Sequence, residues 1–118
     1  MDTNNKEAVA VEVVKEETKE VNPNVITIPL KKNIEINGQS VDELILDFSN
    51  MTGADILAVD TEMRIEGHPA GFTSIYDTNA CLKLAARAVG TVPDDLIRLH
   101  PAEFLEMILQ VRNFFIQW

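Results

Sequence analysis

The stretch "VITIPLKKNIEINGQSVDELILDF", residues 25–48, decides the fold prediction. Two runs rich in β-branched and aliphatic residues flank the dipeptide Asn37-Gly38. Asn-Gly between such runs is the strongest short-range hairpin signal, because a type I′ turn needs positive φ at both central residues. We therefore predict a β-hairpin that turns at Asn37-Gly38. Pro29 lacks an amide donor, which suits an edge strand or a bulge near the start of the hairpin.

The two-residue turn also predicts a strand register. It places four residues of the first strand opposite four of the second: Ile36 with Gln39, Ile34 with Val41, Lys32 with Glu43, and Leu30 with Ile45. One face of this hairpin then holds Ile28, Leu30, Ile34, Ile36, Val41 and Ile45, and the other holds Leu44, Leu46 and Phe48. Both faces are apolar, so a single small layer of helices would leave apolar surface uncovered.

Helical periodicity replaces strand alternation after Thr52. The predicted helices run from Thr52 to Gly67, from near Ser74 to Gly90, from Pro93 to Leu99, and from Pro101 onward. The predicted fold class is therefore α+β, an N-terminal β-hairpin packed on about three to four short helices. Residues 1–24, rich in Lys and Glu and closed by Asn-Pro-Asn, predict a flexible, disordered tail or a marginal helix. Residues 25–118 predict a single small domain.

The balance of charge excludes some function classes. The chain of 118 residues has a net charge of −9, which argues against nucleic-acid binding because no surplus of Lys and Arg exists to contact phosphates. Seven acids but only one base, Arg64, lie between Asp42 and Glu66. This region is either solvated surface charge or an acidic docking surface for a basic partner. No apolar run approaches the ~20 residues that span a bilayer, so we expect no membrane partner and a cytoplasmic location.

Reactive side chains are few. Cys81 lies in an apolar helical stripe, and His68 and His100 each precede a proline, at a predicted loop and a predicted helix start. These contexts favour structural roles over a nucleophile paired with a base. The short repeated spacing of metal ligands does not occur. We therefore expect no enzyme, no metal site and no cofactor, and a protein that acts by contact with a partner.

The hairpin and the helices resemble a known family. The segments "IEINGQSVDELILDFSNMTGADIL" (34–57) and "LAARAVGTVPDDLIRLHPAEFLEMILQVRNFF" (84–115) are similar to the tail assembly chaperones of contractile-tailed phages of the Mu and P2 kind. The shared pattern includes the strand after the Asn-Gly turn, the "TGAD" helix start and the final "NF", and it spans roughly residues 28–115. Glu103 departs from it, since the family has Asp before the phenylalanine.

This resemblance implies a protein of the host bacterial cytoplasm that binds the tape-measure protein and keeps it soluble while the tail tube assembles. It also implies that a longer form of the chain is made by ribosomal frameshifting. A further candidate partner is therefore either a second copy of the chain or that longer form. Two other classes stay open. One is an acidic inhibitor, either a DNA mimic or an antitoxin-like protein, and the other is a minor structural tail protein.

The candidate partner-binding residues are apolar. Phe114, Phe115 and Trp118 close the last predicted helix, and we expect at least one of these rings to be poorly covered. The alternative site is the hairpin face that contains Ile34, Val41 and Ile45. A stripe along the last helix either meets a partner helix or packs in the core, and it consists of Phe104, Ile108, Val111 and Phe115.

Overall fold

The computed structural model describes residues 22–68 and 76–116. Two strands and four helices follow one another: β1 (Val25–Ile36), β2 (Gln39–Asp47), α1 (Gly53–Ile65), α2 (Thr78–Val89), α3 (Pro93–Leu96) and α4 (Pro101–Ile116). The strands form a two-stranded antiparallel sheet. The predicted α+β class, with its hairpin and short helices, is confirmed. Positions 1–21 of the predicted tail lie outside the described residues.

The hairpin turns where the sequence predicts. Asn37 has φ of 54° and Gly38 has φ of 80°, the two positive values that a type I′ turn requires. Asn37 also fastens the turn to the helices. Its side-chain amide donates to the Gly90 carbonyl at 3.1 Å, and its backbone N–H donates to Asp95 Oδ2 at 3.3 Å. The turn is therefore held from outside the hairpin as well as by its own backbone geometry.

The predicted register is correct only in the half of the hairpin next to the turn, where Ile34 pairs with Val41. In the half away from the turn, the pairs are Pro29 with Glu43, Ile28 with Leu44, Thr27 with Ile45, Ile26 with Leu46 and Val25 with Asp47. Between the two halves β1 contains four residues and β2 contains one, an excess of three. The predicted pairing of Lys32 with Glu43 and the predicted pairing of Leu30 with Ile45 are therefore wrong.

This offset of three residues moves side chains to the opposite face from the one predicted, because side chains alternate along a strand. Ile28 and Leu30 are buried with Leu44 and Leu46, and they do not share a face with Ile45. Turn geometry alone does not predict this offset, because it depends on how β1 packs against α4, where Lys31 bonds to Glu103.

The irregular segment of β1 donates a hydrogen bond to α4. The N–H of Lys31 donates to Glu103 Oε2 at 2.7 Å, across 72 positions of sequence. Pro29, at the start of this segment, has no N–H to lose from the ladder. The predicted place of Pro29, in an edge strand near a bulge, is confirmed.

The helices cover one face of the hairpin. Helix α2 packs on β2, α4 packs on β1 and on α2, and α3 contacts both β1 and α2. Helix α1 lies against α2. One apolar core joins these elements, and its fully buried larger side chains are Leu44, Leu46, Met63, Cys81, Leu96, Met107 and Val111.

Local sequence signals set the helix ends. Thr52 Oγ1 accepts the Ala54 N–H, and Asp55 Oδ2 accepts the Thr52 N–H, so the predicted capping box is confirmed. Asp77 caps the start of α2 through its side chain. Gly90 ends that helix with φ of 88°, a left-handed conformation that glycine adopts without steric cost.

Candidate protein-binding surfaces

Phe48, Phe114 and Phe115 form an aromatic cluster where the end of α4 meets the end of β2. The rings of Phe48 and Phe114 stack with centroids 4.3 Å apart. Phe115 meets both rings edge-on, at 5.6 Å from Phe48 and 5.1 Å from Phe114. Phe48 is buried, and the other two rings are half-buried. Two of the three predicted aromatic residues therefore also stabilise the fold, and the third, Trp118, lies outside the described residues.

The predicted hairpin site remains at the surface in part. Ile34 and Val41 are half-buried and lie opposite each other near the turn. Ile45 is 49% exposed, in the half of the hairpin away from the turn. Val41 and Ile45 point away from Leu44, because residues that differ by an odd number along a strand point to opposite faces. This surface contains one well-exposed aliphatic side chain rather than a continuous patch.

Helix α4 has a second apolar stripe that sequence reasoning missed. Leu105 is 64% exposed, Leu109 is 49% exposed and Ile116 is 50% exposed. These three residues are four and seven positions apart, so they lie along one line of the helix surface. Their spacing was visible in the sequence. The stronger stripe of the same helix accounts for the helical periodicity by itself, so the periodicity does not single out this second stripe.

That stronger stripe faces the core. Ile108 and Val111 are buried, and Phe104 and Phe115 are half-buried and pack against the core. Of the two roles open to this stripe, the described residues show core packing. Helix α4 is thus apolar on two sides, and only one of them is covered by the rest of the described chain.

Ion pairs with α2 occupy Asp55 and Glu62 of α1 and Glu66, which follows α1. Arg87 lies 2.9 Å from Asp55 and 3.2 Å from Glu62 through its two terminal nitrogens. Lys83 Nζ lies 2.8 Å from Glu66 Oε2 and 3.7 Å from Glu62 Oε1. The hydrogen bond from Lys83 lowers the pKa of Glu66. Much of the acidic region between residues 42 and 66 is therefore paired within the fold and is not a continuous acidic surface.

The acids of β2 are different. Asp42, Glu43 and Asp47 are exposed, and no ion pair within the described ranges includes them. The hydroxyl and the backbone N–H of Ser49 lower the pKa of Asp47. This strand therefore presents three negative charges to solvent at neutral pH.

The candidate reactive residues have structural surroundings. Cys81 is completely buried, and burial raises the pKa of its thiol. His100 Nδ1 accepts the Ala102 N–H at 3.1 Å, which caps the start of α4. His68 Nε2 lies 3.5 Å from Glu66 Oε1 at the surface. Within residues 22–68 and 76–116 no group of three or more His, Cys, Asp or Glu could hold a metal ion.

Comparison with known proteins finds no matching family model, no matching curated protein and no matching solved structure. In the part of the chain that the structure describes, no helix has the length and apolar character needed to cross a membrane.

Proposed function

We propose that this protein is a tail assembly chaperone that binds the tape-measure protein and keeps it soluble during tail assembly. The proposal joins the sequence resemblance to one observation, the exposed apolar stripe of Leu105, Leu109 and Ile116 on α4. The protein would act in the host bacterial cytoplasm, where its partner is synthesised.

A partner helix with its own apolar stripe fits this surface. Leu105 and Leu109 are one helical turn apart, and Ile116 follows two turns later, so the stripe runs along the axis of α4. An amphipathic helix binds such a surface through residues at positions i, i+4 and i+7. Met107 and Val111 anchor the opposite side of α4 in the core. The stripe is therefore held in place before the partner arrives, which lowers the entropic cost of binding.

The size of the stripe suits reversible capture. Complete burial of one Leu or Ile side chain contributes about 1.5–3 kcal/mol, and part of that gain offsets the lost freedom of the two molecules. Three half-covered side chains thus support modest affinity for any one segment of a partner. Modest affinity is useful in a chaperone, because the tape-measure protein must leave it when the tail tube forms.

The distribution of charge favours a chaperone over an acidic inhibitor. A DNA mimic needs a continuous array of unpaired acids, but Lys83 and Arg87 pair with Asp55, Glu62 and Glu66. Asp60 pairs with Arg64. The net charge of −9 has a simpler use, since it opposes self-association of a molecule with exposed apolar side chains.

Co-expression with a tape-measure fragment tests the proposal. The fragment should stay in the soluble fraction and co-elute with the wild-type protein in size-exclusion chromatography. The double variant Leu105→Glu with Leu109→Glu should lose both effects, because charge on the stripe cannot be buried against an apolar helix without cost.

The control variant is Leu57→Glu. Leu57 is 69% exposed on α1, so it matches Leu105 in residue type and in exposure. Equal loss of capture in the control and the double variant would show that the α4 stripe is not the binding surface. If the wild-type protein does not keep the fragment soluble, the proposed function is wrong.

Purified phage particles separate the chaperone from a minor structural tail protein. A chaperone is absent from finished tails, so mass spectrometry of purified particles should not detect this chain. Its presence there at a fixed stoichiometry would favour the structural role.

A further inference from the structure

The two outer edges of the hairpin can be identified from one hydrogen bond. The N–H of Phe48 donates to the Asn24 carbonyl at 2.7 Å, which makes these two residues a hydrogen-bonded pair. Pairs alternate along an antiparallel ladder. Ile26 and Ile28 therefore also bond to β2. The residues that alternate with them, Val25, Thr27 and Pro29, direct their backbone groups away from β2. On β2 the outward-directed residues are Glu43, Ile45 and Asp47.

The outer edge of β1 is largely closed to another strand. Pro29 has no N–H to offer. The N–H of Val25 donates to the Asn22 carbonyl at 3.1 Å, and the N–H of Lys31 donates to Glu103 Oε2 at 2.7 Å. Thr27 alone keeps an outward N–H for a third strand among Val25, Thr27, Pro29 and Lys31. Proline and covering contacts are common devices that prevent strands from adding to a sheet edge.

Within the described ranges, neither a proline nor a covering hydrogen bond closes the outer edge of β2. It contains no proline or glycine between Gln39 and Asp47. Across residues 22–68 and 76–116, no backbone hydrogen bond other than those of the hairpin itself reaches Glu43, Ile45 or Asp47. Three successive outward-directed residues therefore have backbone groups that bond to nothing else in the described part of the chain. This is the arrangement to which an extended peptide adds as a further strand.

The acidic side chains along this edge favour a basic partner strand over a second copy of the chain. Asp42, Glu43 and Asp47 have no ion-pair partner among the described residues, as shown above. A second copy of the chain is a poor occupant, because antiparallel self-pairing centred on Ile45 would set Glu43 opposite Asp47. Like charges directly opposite each other destabilise strand pairs. A basic strand would instead place opposite charges across the new ladder.

We propose that the outer edge of β2 binds an extended, basic segment of a partner protein as a third strand of the sheet. Lys or Arg residues of that segment would pair with Glu43 and Asp47, and their aliphatic chains would contact Ile45, which lies on the same face of β2. The alternating apolar residues of the segment would point to the opposite face of the sheet, the face of Leu44 and Leu46. The site is separate from the α4 stripe and does not depend on the proposed function.

A synthetic peptide of alternating lysine and valine, matched to the nine residues of β2, is the probe. Titration into the ¹⁵N-labelled full chain should shift the amide signals of Glu43, Ile45 and Asp47 and slow their hydrogen exchange, and it should leave Thr27 unchanged. A peptide with N-methyl groups on alternate residues should bind at least about tenfold more weakly, because it lacks the ladder donors. A peptide with glutamate in place of lysine should not bind.

The variant Ile45→Pro copies the protection that Pro29 gives to β1. It removes an outward N–H without removing a bond of the hairpin ladder, so circular dichroism should stay native while peptide affinity falls at least about tenfold. The matched variant Ile45→Thr keeps the N–H and should retain most of the affinity. The α4 double variant Leu105→Glu with Leu109→Glu should bind the peptide like the wild type.

A charge-reversed variant covers the case in which Ile45→Pro does not fold. Glu43→Lys with Asp47→Lys changes only exposed side chains on the face of Ile45, and it should lose the lysine peptide and gain the glutamate peptide. Equal binding of the N-methylated peptide, or unchanged binding to a folded Ile45→Pro variant, would overturn the proposal. So would a stable dimer of the wild type that Ile45→Pro abolishes, since the occupant would then be a second copy.

Discussion

The strand register is set by different interactions in the two halves of the hairpin. Next to the turn, Asn37 and Gly38 set the register through their own backbone geometry, and Ile34 meets Val41 as local chemistry predicts. In the other half, Leu44 and Leu46 set the register, because burial against the helices requires both to face inward. The irregular segment of β1 between Pro29 and Ile34 absorbs the difference between the two registers. A turn thus determines pairing over a few residues, and the core determines it beyond that distance.

Among the variants proposed here, Leu44→Ala should lower the stability of the protein most, because it removes a core side chain that sets the register away from the turn. Leu44 is completely buried, so its truncation should lower the free energy of unfolding by about 3 kcal/mol. Ile45→Ala, one position along, removes an exposed side chain and should cost well under 1 kcal/mol. Urea denaturation followed by circular dichroism measures both changes. Similar losses in the two variants would contradict the observed register.

Phe114→Ala tests the aromatic cluster at the same end of the hairpin. A buried Phe→Ala change typically costs 3–5 kcal/mol, and Phe114 is only half-buried, so we expect about 2 kcal/mol. The loss should appear in the same urea transition. The matched variant Leu105→Ala removes an exposed side chain from the same helix and should change stability by less than about 0.5 kcal/mol. If the Phe114 variant is as stable as this control, the cluster contributes nothing to the fold.

Gly38→Ala tests the half that the turn controls. A Cβ at Gly38 meets no atom within 4 Å, so the cost comes only from its φ of 80°, and we expect about 1 kcal/mol. Gly53→Ala is the control, since Gly53 also has open space around a Cβ but no positive φ, at the start of α1. That change should be neutral or stabilising. Thermal denaturation of both variants checks the difference.

The pH dependence of stability should show a small contribution from Asp95, which holds the turn. The Thr91 hydroxyl and the Asn37 N–H, both donating to its carboxylate, lower the pKa of Asp95 in the folded state. The unfolded chain therefore binds a proton more readily, and stability is lost as pH falls through the ordinary aspartate pKa and then the lowered one. The denaturation midpoint should fall less steeply with decreasing pH in the Asp95→Asn variant than in the wild type. An unchanged slope would exclude this contribution.

Features that depend on neighbouring residues could be predicted from the sequence. The turn at Asn37-Gly38 and the capping box at Thr52 each need only a few adjacent positions. The inward stripe of α4 followed from helical spacing, and burial of Ile108 and Val111 confirms it. In each case the deciding interactions lie within one element or its immediate flank.

Features that depend on distant residues could not be predicted. The register offset involves Lys31 and Glu103, which are 72 positions apart. The pairing of α1 acids with Lys83 and Arg87 likewise depends on how two helices pack, so the acids of that region could not be divided into paired and unpaired sets beforehand. The closure of the β1 edge depends on a long-range contact only at Lys31, since Pro29 and the bond from Val25 to Asn22 are local.

The buried thiol of Cys81 can report how often the folded protein opens. It is the sole cysteine of the chain, and its side chain has no exposed surface. A thiol reagent can modify it only in molecules in which α2 has separated from its neighbours, so the labelling rate equals the intrinsic thiol rate multiplied by the open fraction. Mass spectrometry of samples taken at successive times would measure the labelled fraction. Bound peptide or partner should lower the labelling rate by a factor of one plus the ratio of its free concentration to Kd, because binding lowers the open fraction by that factor.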